Sequence, residues 1–126
     1  MAVPILKLGA YLIATVQAAL NDAELVELRQ KLVERTGHFR SRGVIVDVTA
    51  LDLMDSFAAR TLRDLALMAR LRGAETVIVG IQPEVALSMA QLGLTLEGVA
   101  TALDLEEGLE FLNRTIARKR IALGSS

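Results

Sequence analysis

The run Gly43-Val-Ile-Val-Asp-Val48 constrains this chain more than any other feature of its 126 residues. It is short, β-branched and almost unbroken in its apolarity, so it lacks the alternation of a half-exposed strand. A strand of that kind is covered on both faces, as in a parallel sheet with helices packed against it. Thr76-Val-Ile-Val-Gly80 repeats the pattern. Between the two, Ser56 to Arg72 reads as a helix ending at Gly73. Its inner stripe is Leu62, Leu65, Met68 and Ala69, with Arg60, Arg63, Asp64 and Arg70 outside. Strand, helix and strand in this order imply a right-handed parallel crossover.

The flanking segments extend the scheme. Val3–Leu8 and Tyr11–Gln17 are β-prone runs around Gly9-Ala10, which reads as a hairpin. Asn21 with Glu24 forms a capping pair for a helix carrying Leu25, Leu28 and Leu32, with Gly37 as its stop. Pro83 suits the first turn of a further helix, closed by Gly93. A short strand is expected near Gly98–Ala102. Asp104 with Glu107 then caps a last helix carrying Leu105, Leu109, Leu112 and Ile116. The order ββαβαβαβα gives an α/β fold: a mixed, mostly parallel sheet covered by about four helices. One domain is expected over 1–117, with 118–126 a basic C-terminal tail that need not be ordered.

Composition closes off several function classes. The chain has no cysteine and one histidine, His38, which removes disulfides, thiolate metal sites and histidine-rich metal sites. Fourteen basic residues stand against fifteen acidic ones, a formal net charge of −1, whereas a general phosphate-backbone binder is basic overall. Arg114, Arg118, Lys119 and Arg120 make a basic end without aromatic interleaving, which reads as a solvated helix terminus. The apolar stretch Leu8–Asn21 falls short of the roughly 20 residues that a membrane span takes. It is also a poor secretory leader, because Met1–Leu6 carries no positive charge. A hydrophobic fraction of 52% fits a cytoplasmic protein that hides apolar surface against other subunits.

The segment from Val46 to Phe57 is where chemistry is expected. It leaves the carboxyl end of a buried strand and enters a helix, the edge at which parallel sheets meet their ligands. Asp47, Asp52 and Asp55 crowd there without a nearby Lys or Arg, and Ser56 stands at the helix start. Position alone suits Ser56 to a helix N-cap and the aspartates to turns and dipole matching. The same position suits a phosphorylation site, with the phosphate adding about −1.5 to −2 charges beside carboxylates. Asp47 as a magnesium-dependent phosphoryl acceptor would need a second acidic pair and a positioned lysine. Lys7, Lys31 and Lys119 do not follow a strand end, so no catalytic residue, cofactor or metal is assigned.

The element order together with Val46-Asp-Val-Thr-Ala-Leu-Asp-Leu-Met-Asp-Ser56 resembles the STAS domains, the family of bacterial anti-sigma factor antagonists. Pro4–Leu8, Gly43–Asp47 running on to Asp55-Ser-Phe57, Gly80–Pro83 and Thr101–Leu109 are similar to the single-domain, RsbS-type scaffold subgroup of the stressosome. The resemblance spans Pro4 to about Arg114. It implies that Ser56 is the phospho-acceptor, with Asp55, Phe57, Asp47 and Asp52 supporting the switch or touching a partner. It also implies a large assembly with an RsbR-type STAS paralogue, an RsbT-type serine kinase held until the scaffold is phosphorylated, and an RsbX-type phosphatase that resets it. Phe57-Ala-Ala-Arg60 after the serine, where simple antagonists commonly carry a small residue and Gly, favours the scaffold subgroup. A stand-alone antagonist binding its kinase one-to-one is the alternative, and a ligand-binding STAS module would need a pocket between Asp47 and Ser56. Phe57 itself is expected in the core.

Overall fold

In the computed structural model, which describes residues 3–124, the run from Gly43 forms the middle strand of a five-stranded sheet. Met1, Ala2, Ser125 and Ser126, the outermost residues of the expected domain and tail, lie outside the described residues. The elements are β1 (Ile5–Leu8), β2 (Tyr11–Thr15), α1 (Asp22–Phe39), β3 (Gly43–Asp47), α2 (Ser56–Leu71), β4 (Glu75–Val79), α3 (Pro83–Gln91), β5 (Ala100–Ala102) and α4 (Leu105–Gly124). The strands lie in the order β1-β2-β3-β4-β5. Only β1 and β2 are antiparallel, joined through Gly9 and Ala10 with Leu8 opposite Tyr11. The remaining pairs are parallel, which makes the sheet mixed and mostly parallel as the apolar runs require.

Alternate residues of β3 feed two cores. Val44 and Val46 pack with Leu12, Ala14 and Ile78 beneath α1, α2 and α3, where Leu28, Leu32, Ala59, Leu62, Leu65, Val85 and Met89 are buried. Ile45 points the other way, with Ile13, Val77 and Val79, and is covered by Leu112 of α4. Three crossovers of one hand put three helices on one face, and α4 returns over the other.

The ends of the elements differ from the sequence expectation in identifiable ways. α1 passes Gly37 and stops at Arg40, which takes the left-handed conformation at φ 51 and donates its N–H to Gly37 O. Met68 lies on the outer side of α2, because the positions that meet the sheet are Ala59, Leu62, Leu65, Ala66 and Ala69. Leu105, in the first turn of α4, is likewise exposed. The backbone shows no boundary at 117: α4 continues to Gly124, with Lys119 tied to Glu75 at the start of β4 by a 2.6 Å ion pair. Residues 118–124 are therefore helical rather than a loose tail.

Parallel register fixes where a site can form. Thr15, Asp47, Val79 and Ala102 stand opposite one another, so β2 to β5 end along one edge. Loops from that edge reach the N-termini of α1, α2, α3 and α4.

Candidate functional site

At the end of β3, Val48 N–H donates to Val79 O at 3.0 Å and Leu51 N–H to Val48 O at 2.9 Å. These bonds turn the chain out of the sheet. Asp47 closes the turn: its Oδ1 accepts the Thr49 N–H at 2.9 Å and the Thr49 hydroxyl at 2.6 Å. This carboxylate is engaged by its own loop, the arrangement that makes Asp a turn former. The opposite wall is Gly80 at φ +81, where a Cβ would stand 2.0 Å from Thr49 Oγ1. Only glycine combines that backbone with that closeness. Gln82, just before α3, donates from Nε2 to Thr49 O at 2.5 Å and ties the two loops together.

The loop then divides its side chains. Met54 is 2% exposed and packs in the core beneath α2, whereas Leu53 is 60% exposed. Asp52 is exposed and has no side-chain hydrogen bond among the described residues. Asp55 is the N-cap of α2, with φ −86 and ψ 178, and its Oδ1 accepts the Ala58 N–H at 2.8 Å. Ser56 is therefore the first helical residue and not the cap, a correction to the reading from position alone. Its hydroxyl is exposed and bonded to nothing among the described residues. The Ser56 and Phe57 N–H groups point off the helix start beside it, at the positive end of the dipole.

Phe57 is half-buried and belongs to neither apolar cluster, so the expectation of a core role is corrected as well. Its carbonyl accepts the Thr61 hydroxyl at 2.8 Å. Beside Asp55 the surface opens into an apolar groove between the β2–α1 loop and the β3–α2 loop, lined by Val16, Leu20, Leu51, Leu53, Met54 and Ala58. The structure thus brings Asp55, Ser56 and Phe57 to one exposed helix start, keeps Asp52 beside them in the loop, and sets Asp47 back in its turn. Sequence reasoning assigned no part to Thr49, Gly80 or Gln82. Gly80-Ile-Gln-Pro83 was conspicuous as a segment, but the contact of Gln82 with a loop 33 positions away leaves no local trace. Among the described residues, no three His, Asp or Glu side chains converge as metal ligands do.

A family model described as the STAS domain matches residues 3–108. Among curated proteins, the chain is 29% identical over 97 residues to the RsbT co-antagonist protein RsbRA of Bacillus subtilis (strain 168), covering 77% of this chain and 35% of that protein. The chain thus spans about a third of the length of this relative. Among solved structures, the RsbS protein of Moorella thermoacetica carrying a serine-to-glutamate substitution superposes with a TM-score of 0.76 at 34% identity, covering 92% of this chain and 97% of that one. A chain from the molecular architecture of the stressosome, described as a signal integration and transduction hub, gives a TM-score of 0.71 at 31% identity over 90% of this chain and 98% of its own.

Proposed function

This chain belongs to the STAS-domain family, and from that footing we propose that it is a stressosome scaffold whose state is set by phosphorylation of Ser56. In its unmodified form it holds an RsbT-type serine kinase within an assembly that it shares with RsbR-type STAS paralogues in the cytoplasm. The kinase moves the γ-phosphoryl group of MgATP onto Ser56 Oγ, releasing ADP and the hydroxyl proton, and then leaves. An RsbX-type phosphatase restores the hydroxyl. The chain is a substrate and a switch in this scheme, not an enzyme.

The observation that carries the proposal is the division of labour at the start of α2. Asp55 caps the helix, so the exposed Ser56 hydroxyl is not needed for it. A phosphate there adds about −1.5 to −2 charges beside the carboxylates of Asp52 and Asp55. A negative charge that a docked partner places about 5 Å away is repelled by roughly 1–3 kcal/mol for each charge added, between the dielectric of water and that of a protein surface. That is enough to weaken a docked partner about tenfold or more. The groove lined by Leu20, Leu51 and Leu53 adjoins this charge, so a partner seated in it would feel the change. Similarity to RsbS and to a stressosome chain over nine-tenths of the length supports the assembly part of the proposal.

Peptide-resolved mass spectrometry after incubation with an RsbT-type kinase, an RsbR-type partner and MgATP tests it. One phosphate confined to Ser56, absent from Ser56→Ala, and kinase leaving the particle as it accumulates are the expected results. An active kinase that leaves Ser56 unmodified, or that modifies Ser56→Ala equally, overturns the assignment.

A further inference from the structure

The opposite edge of the sheet carries a feature that the switch does not use. Tyr11, Gly43 and Glu75 stand in register at the beginnings of β2, β3 and β4. Arg42, just before Gly43, is pinned from both sides: its N–H donates to Ala10 O at 2.7 Å and its carbonyl accepts the Glu75 N–H at 3.1 Å. Arg40 ends α1 as the one non-glycine residue with positive φ among the described residues, a conformation that ordinarily favours Gly or Asn. Arg72 ends α2, and its guanidinium lies against the backbone of Gly37, where a Cβ would be 1.8 Å from Nη2. Three arginines that are far apart in sequence or oddly placed in conformation therefore line one open pocket of about 390 Å³, together with Thr36 and Ser41.

The charge in this pocket is not balanced. No acidic side chain lines it. None of the three guanidinium groups has an ion-pair or hydrogen-bond partner among the described residues, and Glu75, the carboxylate of that edge, is paired with Lys119. The C-termini of α1 and α2 bring about half a unit of negative charge each, which offsets about one of the three positive charges. About two remain. The pocket falls within the usual ~300–1,000 Å³ of a small-molecule site, yet its lining is polar and cationic instead of apolar.

We propose that this pocket binds a small phosphate-bearing anion of two or more charges, of the pyrophosphate or nucleoside polyphosphate class. Guanidinium forks pair bidentately with phosphate oxygens, and three forks on fixed backbone suit two adjacent phosphoryl groups better than one carboxylate. The inference is independent of the Ser56 switch, which lies at the other end of the strands.

Titration calorimetry at low ionic strength, with inorganic pyrophosphate and with ATP as separate probes, tests it on the full chain. Saturable one-to-one binding is expected, weakened about tenfold or more in the Arg42→Gln, Arg72→Gln double variant. Arg60→Gln, which removes an exposed charge from α2 outside the pocket, should leave affinity within about twofold. Equal affinity for the two probes assigns recognition to the phosphoryl groups, and tighter ATP binding adds the nucleoside; either supports the site. Gly37→Ala is the control for folding. Arg72 can swing away from the new Cβ, so the melting temperature should hold or rise while binding weakens. Absence of saturable binding by both probes, unchanged affinity in the double variant, or an equal loss in Arg60→Gln overturns the proposal.

Discussion

The Asp55 carboxylate accepts the Ala58 N–H at 2.8 Å, and this bond satisfies one of the donors that the first turn of α2 leaves open. Removing it by Asp55→Ala should cost about 1 kcal/mol, the ordinary value of an aspartate cap. Ser56→Ala should cost at most a few tenths, because a surface position without a bond carries little stability. Urea denaturation of the two variants at unchanged m-value measures the difference, and equal losses would contradict the assignment of the cap. The sequence alone could not separate these neighbours. Both are good capping residues; in the structure Met54, one position earlier, is buried and Asp55 takes the extended conformation of the cap. Asn21–Glu24 was legible as a reciprocal pair and forms both expected bonds, whereas at Asp104–Glu107 the Asp104 carboxylate accepts the Glu107 N–H but the Glu107 carboxylate accepts the N–H of Leu103 instead of that of Asp104.

At the scale of elements, α4 is held to the edge of β2 by a polar contact in which the Tyr11 hydroxyl donates to Asn113 Oδ1. Burial pushes the Tyr11 phenol above its ordinary value of 10.0, with Arg120 and Arg42 opposing. A raised value in the folded state means that the unfolded chain gives up its proton first. The stability linked to Tyr11 is therefore intact below about pH 10 and is lost as pH rises through the folded value. Absorbance at 295 nm follows this directly, since Tyr11 is the only tyrosine and there is no tryptophan. The expected midpoint lies above 10.0; a midpoint at or below that value would contradict the burial. Element type was readable wherever periodicity was strong, but element ends were not. Gly37 looks like a stop, yet its missing side chain makes room for Arg72, a residue on another helix. Nothing within α1 announces that contact.

For the whole molecule, the decisive geometry is that α4 alone covers the second face of the sheet. Leu112 is fully buried there against Ile13, Ile45, Val77 and Val79. Leu112→Ala should cost about 2–5 kcal/mol, in the range of buried Leu truncations, and thermal or urea unfolding measures it. A loss below about 1 kcal/mol would mean that α4 is not the cover it is described as. Fold class and the parallel direction of β3 and β4 were legible from the two apolar runs and the crossover between them, whereas the spatial order β1-β2-β3-β4-β5 emerges only in the structure. The basic pocket was not legible either, because Arg40 and Arg42 meet Arg72 only when β3 and β4 pair with Gly43 opposite Glu75.

The strand order has a consequence for how the chain is made. Each strand pairs with the one synthesised immediately before it, so every new segment leaving the ribosome finds its neighbour already in place. The loops to be closed stay short and the entropy of pairing is met in small steps. The exception is the face under α4. From the moment β4 is laid down until Leu112 emerges, Ile45, Val77 and Val79 have no cover, and that interval is when a nascent chain of this design most needs protection from its neighbours.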